Sequence, residues 1–309
     1  MLHSSLSFVA AFTLLTSAYA ADSSTALTKA ATTESRTSIN DSSKNEKLED
    51  NAEITDAKLK ADSGSLSKYS LKFNLSYSGA PIGDLNNPMQ PNPDGSIGVF
   101  ETSLSGSVSG RYRIDKKSTI GGGTGVSALT PLQGVKRYDV KNPFISYDLS
   151  TKINDVQIRN ALTLSAVTNI VYRNVGEYAG IGYDNSLVYN LGVTPVALAL
   201  DTSLNYYLFE RGYVTKDKNT ERYKISFFPA VKYNFSDRFN LNTSLAIAFA
   251  NPRYTEDNTV LLNKVISQRL AVGYGYSHDI YFSPYLNFYP GQLALDSTTI
   301  NFTTTFSVL

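Results

Sequence analysis

From Lys68 onward apolar and polar residues alternate one by one, and this restricts the chain to paired strands with two chemically different faces. Tyr69, Leu71, Phe73, Leu75 and Tyr77 fall on one side of the first segment, opposite Lys68, Ser70, Lys72, Asn74 and Ser76. The pattern returns over 100–114, 156–166, 196–208, 223–235, 239–249 and 299–308, and less cleanly over 119–128, 143–152, 180–191, 264–277 and 280–289. It predicts about twelve strands of ~9–12 residues, the length a tilted strand needs to cross hydrocarbon. A content of 21 Tyr and 15 Phe with no Trp agrees with a β-rich chain.

The links between these segments are short and long by turns. Tight turns are predicted at 115–118, 153–155, 192–195, 236–238 and 277–279, and longer links at 79–97, 129–142, 169–179, 210–221, 250–263 and 290–297. One rim of turns and one of loops is the asymmetry of a transmembrane barrel, with the turns periplasmic. Both ends of the barrel segment then lie on the turn side, so the strand number is even.

A soluble sandwich also shows period two, because its apolar faces meet inside. Lipid on the outside is favoured here by where the aromatic residues fall. Tyr69, Tyr112, Tyr233 and Phe239 stand near the turn side of the apolar face, and Tyr77, Tyr183, Tyr206 and Phe249 near the loop side. Two such girdles around an aliphatic band suit a bilayer. Charged strand residues share the opposite face, which suits an aqueous lumen.

Upstream, the uncharged apolar run 2–16 is followed by Ala18-Tyr19-Ala20, which predicts a secretory signal cleaved between Ala20 and Ala21. Residues 21–67 are rich in Ser, Thr, Asp, Glu, Lys and Ala, with apolar positions too sparse for a core. They are expected to form a polar, flexible periplasmic leader, with a short helix compatible with 46–62. The other reading places this stretch in or near a pore. If it is only a tail, deleting 22–60 leaves conductance unchanged.

Signal segment, polar leader, about twelve alternating strands and a final strand ending Phe306-Ser307-Val308-Leu309 resemble a bacterial outer-membrane β-barrel of the small porin-like channel kind. The resemblance implies an all-β, antiparallel up-and-down barrel over 68–309, located in the outer membrane of a Gram-negative bacterium. It also implies outer-membrane lipid, the barrel-assembly machinery and small hydrophilic solutes or ions as partners, with no cofactor.

The alternation points Lys72, Arg111, Arg113, Lys152, Arg159, Lys224, Lys232 and Arg269 inward as pore-lining residues, with Asp201 among the few inward acids. Most of these bases fall in the turn-side half, where a ring of like charge would attract anions. The bland alternative is that each base is already paired.

Enzymatic chemistry finds little support. Zero Cys excludes thiol catalysis, thiolate metal sites and disulfides, and a formal charge of +1 gives no reason to expect nucleic acid. Only His3 and His278 are present, and Ser277-His278-Asp279 reads as a turn. Gly121-Gly122-Gly123-Thr124-Gly125 precedes no helix, so it reads as barrel curvature rather than a dinucleotide loop. Tyr281, Tyr285 and Tyr289 are expected to fill lumen volume, and loop 79–97 to lie exposed at the outer rim.

The resulting expectation is a passive channel for small hydrophilic solutes with mild anion preference. The alternatives are a closed structural or surface-recognition barrel acting through its loops and, behind it, an autotransporter-like translocator.

Overall fold

The computed structural model describes residues 47–212, 220–255, 257–263 and 266–308; the expected signal segment and the leader as far as residue 46 lie outside them. Twelve long strands form one antiparallel sheet that closes on itself, and a two-residue strand, Leu262–Asn263, adds to it at Phe249 and Ala250. In chain order the long strands are β1 Tyr69–Ser78, β2 Ser103–Arg113, β3 Ser118–Leu129, β4 Arg137–Ile153, β5 Val156–Ala166 and β6 Glu177–Asn190. β7 Val196–Phe209, β8 Glu221–Asn234, β9 Phe239–Pro252, β10 Ser267–Ser277, β11 Ile280–Phe288 and β12 Thr299–Val308 complete the ring. Each strand pairs with its neighbours in sequence, and β1 with β12 through Leu71↔Val308, Phe73↔Phe306 and Tyr77↔Phe302. Closure leaves no edge strand to satisfy elsewhere. The Phe73 and Phe306 rings stack across the seam with centroids 4.6 Å apart.

Burial runs opposite to that of a water-soluble protein. Outward Ile145, Leu162, Leu164, Leu198 and Leu270 are exposed, while inward Lys72, Arg111, Arg113, Asp148 and Lys232 are buried. A soluble sandwich hides its apolar face between sheets. Here that face surrounds the ring, and only hydrocarbon rewards this arrangement.

The tight turns stand where the alternation places them. Asp115 Oδ1 accepts from the Lys117 and Ser118 amides, and Asn154 adopts φ +53° in the two-residue link of β4 and β5. β4 begins at Arg137, six residues before the expected 143, because Arg137–Val140 continue the pairing with β3 past a register shift between Thr124 and Val126. The glycine run lies in β3 just before that shift. A Cβ on Gly123 would stand 2.0 Å from the Val108 carbonyl oxygen, so the close strand approach there depends on glycine. Loop 79–97 is not without structure: Met89–Pro91 and Ile97–Glu101 form a hairpin, and the Ile82 and Gly83 amides donate to the carbonyls of Thr298 and Leu295 in the adjoining loop. A four-residue helix, Ile170–Arg173, follows β5.

The largest departure from expectation concerns residues 47–67. They were expected to trail outside as a flexible leader; instead they fold inside the barrel. Helix α1, Ala57–Ser63, packs against β4, β10, β11 and β12. It is shorter than the 46–62 compatible with the composition because Asp56 caps it, accepting from the Leu59 amide, and just before it the chain turns at Ala52–Glu53, where the Ile54 amide donates to the Asn51 carbonyl.

Candidate functional site: the occupied lumen

The inward residues at the turn-side end come from small and polar types on most strands, and the segment 47–67 packs against those of β1, β2, β4, β5, β6, β7, β8 and β10. On every one of the twelve strands an inward position is buried there: Lys72, Arg111, Thr119, Ser150, Gln157, Val188, Ala197, Lys232, Asn240, Gly275, Tyr281 and Ser307. A free water column would touch this ring. The segment excludes it.

Three kinds of contact hold the segment. The first is apolar. Ile54 and Leu59, 2% and 1% exposed, form a cluster with Val188 of β6 and Ala197 of β7, flanked by Ala199. Burying each contributes about 1.5–3 kcal/mol. The second is ionic. Asp56 Oδ2 lies 2.8 Å from Lys232 Nζ, and Lys58 Nζ lies 3.0 Å from Asp62 and 3.8 Å from Asp201. The third is hydrogen bonding to backbone. The Thr55 and Asp56 amides donate to Gln157 Oε1, Asn51 donates to the Ser150 carbonyl, and Lys72 donates to the Asp62 carbonyl. Arg111 also donates to Asp62, at 3.3 Å, and Arg113 to the carbonyls of Ser63 and Gly64, at 3.5 and 3.2 Å.

The segment's two ends meet, the Leu48 amide donating to the Leu66 carbonyl, so it enters and leaves on the turn side as a closed loop. Gly64 turns the chain at φ +81°, and a Cβ there would stand 2.2 Å from Arg111 Nη1. Small residues in β10 make room for the helix: a Cβ on Gly275 would meet Ala57 at 3.0 Å. At the turn-side mouth Lys117 bonds Glu53 and holds its carboxyl below the usual carboxylate range. His278 bridges Asp50, 3.1 Å from Nε2, and Asp279, 2.9 Å from Nδ1.

Each predicted lumen residue can now be placed. Lys72, Arg111, Arg113 and Lys232 face inward but meet the segment rather than open water. Arg111 and Arg159 both contact Asp148, a buried carboxylate between two guanidiniums. Lys152 stands near the turn, 3.9 Å from Asp155. Arg159, Asp201, Lys232 and Arg269 line a cavity of about 340 Å³ above the helix, together with Lys58, Asp184, Phe228 and Tyr285. Lys224 lies in β8, paired with Asn205 and Ala250 and eight residues along the strand from Lys232. Of the inward tyrosines, Tyr281, 4% exposed, and Tyr285 both line the cavity.

The alternation missed the residues that fill the lumen: Asn51, Ile54, Asp56, Leu59 and Asp62. A signal for them exists in the wall. Val188, Ala197 and Ala199 put three apolar side chains close together on a mostly polar inward face, and the turn-side bases outnumber the wall acids. Over 47–67 the chain carries five acids (Glu49, Asp50, Glu53, Asp56, Asp62) against three lysines (Lys47, Lys58, Lys60), the complement of that ring.

No family model matches this sequence, and no curated protein matches it. Similar solved structures include an outer-membrane channel from Pseudomonas putida F1, at 13% identity and TM-score 0.48, covering 80% of this chain and 98% of that one. The NanC porin has 9% identity and TM-score 0.42, covering 77% and 98%, and the KdgM porin 8% and 0.40, covering 78% and 99%.

Proposed function

We propose that this chain is a channel for small hydrophilic solutes in the outer membrane of a Gram-negative bacterium, held shut on its turn side by residues 47–67. The observation that carries the reading is the inverted burial: a closed ring of twelve strands, apolar outside, with a polar interior that its own segment occupies. A barrel serving only as a scaffold has no need of a buried polar seal fitted to one end. The polar cavity beyond the seal fits a small solute.

Anion preference belongs to this reading in a modified form. With the segment in place, Lys72, Arg111 and Arg113 donate to its carbonyls and Lys232 pairs with Asp56, so their field is largely spent. With the segment absent, the same four side chains face water, and a low-dielectric wall focuses their field.

Heat-modifiable migration of the purified protein checks that it is a folded membrane barrel, and planar-bilayer recording under a salt gradient checks its selectivity. We expect small, weakly anion-selective current from the full chain and a reversal potential displaced further toward the anion limit once residues 47–66 are removed. Cation selectivity in the deleted form would refute the role given to the basic ring.

A further inference from the structure

The cavity above α1 contains an arginine whose placement is not explained by the seal. Arg269 of β10 projects into it with its guanidinium carbon 5.2 Å from the Phe228 ring centre and 5.3 Å from that of Tyr285. Its Nε is buried without a hydrogen-bond partner, and no carboxylate pairs with it among the described residues. The other bases around the cavity are matched: Arg159 by Asp148, Lys232 by Asp56, and Lys58 by Asp62 and Asp201. Two aromatic faces hold the Arg269 fork in place without using its donors.

We infer that Arg269 binds the carboxylate of a small polyhydroxylated acid that occupies this cavity, an inference that rests on the channel reading and names its solute class. A planar guanidinium with free donors matches a carboxylate in bidentate geometry. The volume, about 340 Å³, lies at the lower end of the ~300–1,000 Å³ typical of small-molecule sites. Around Arg269 the wall is made of hydroxyls and amides, including Ser244, directly opposite it in β9, and Asn242. On the far wall stand Asp184 and Asp201. Among the described residues Asp201 keeps only the 3.8 Å contact with Lys58, and both carboxylates can accept from hydroxyls, so the cavity takes a solute with its charge at the β10 end and hydroxyl groups at the β6–β7 end.

The test is calorimetric titration of the full-length protein, folded in detergent, with gluconate and with sorbitol as its uncharged counterpart. Gluconate is expected to bind and sorbitol to bind at least tenfold more weakly. R269Q is expected to weaken gluconate by roughly tenfold or more, and R269K, which keeps the charge without the planar fork, to fall between. Heat-modifiable migration verifies that each variant is folded. Equal binding of gluconate and sorbitol, or unchanged gluconate affinity in folded R269Q, overturns the assignment. Inorganic phosphate matching gluconate would overturn the part given to the hydroxyls. No current is measured, so failure here leaves the channel reading standing, and absence of conductance leaves the binding result standing.

Discussion

Deleting residues 47–66 is expected to raise single-channel conductance at least tenfold, the opposite of what a dispensable tail would give. The expectation follows from the ring of twelve buried inward positions at the turn side, one on each strand. Current must pass that ring, and among the described residues the segment 47–67 is what packs inside it. β1 begins at Tyr69 and pairs with β2 and β12 through its own backbone, so the deletion leaves every strand ladder intact. It does expose Lys72, Arg111, Arg113 and Lys232 to water. Charged groups rehydrate readily, so the barrel should remain folded while becoming more open. Planar-bilayer recording of the two proteins side by side decides the matter; equal conductance would mean the segment does not limit flow.

The second large effect is expected at Asp148. Its carboxylate accepts from Arg111, 3.3 Å away, and from Arg159, and its side chain is 9% exposed. Lys72 lies in the same cluster, donating to the same Asp62 carbonyl as Arg111. Asp148→Asn keeps the shape and removes the charge, leaving the cations facing one another away from bulk water. Breaking a buried pair in this way costs about 3–5 kcal/mol. Asp139→Asn removes the partner of the exposed Arg137 and should cost about 0–1 kcal/mol. Urea unfolding in detergent micelles measures both, and a similar small loss for the two variants would show that the cluster is solvated.

Much of the architecture was legible in the sequence because strand geometry converts position parity into direction. Leu71, Phe73 and Leu75 had to share a face whatever the fold, and the turns at 115–118 and 153–155 then fixed strand order. The start of β4 was not legible: the register shift at Thr124 and Val126 interrupts the parity near Pro143, so 137–142 reads as loop. The inward direction of Lys72, Arg111 and Lys232 could be read from parity, but what they meet could not. Asp56 and Asp62 have the composition of a solvated tail, and nothing local distinguishes an acid facing water from one facing Lys232. Their burial becomes visible only when the wall they complement is closed around them. Ile54 and Leu59 carried no periodic signal for the same reason, since their partners Val188, Ala197 and Ala199 lie more than a hundred residues away.

The placement of residues 47–67 is tested most directly by a covalent link. Ser63 Oγ and Ser150 Oγ lie 2.8 Å apart, one on the segment and one on β4, and the chain has no cysteine of its own. Ser63→Cys with Ser150→Cys should form a disulfide under oxidising conditions, seen as altered gel migration, with conductance as low as that of the unlinked full-length protein. Two free thiols, with the one at position 63 labelled by a bulky maleimide as fast as an unfolded control, would contradict a segment seated inside the barrel.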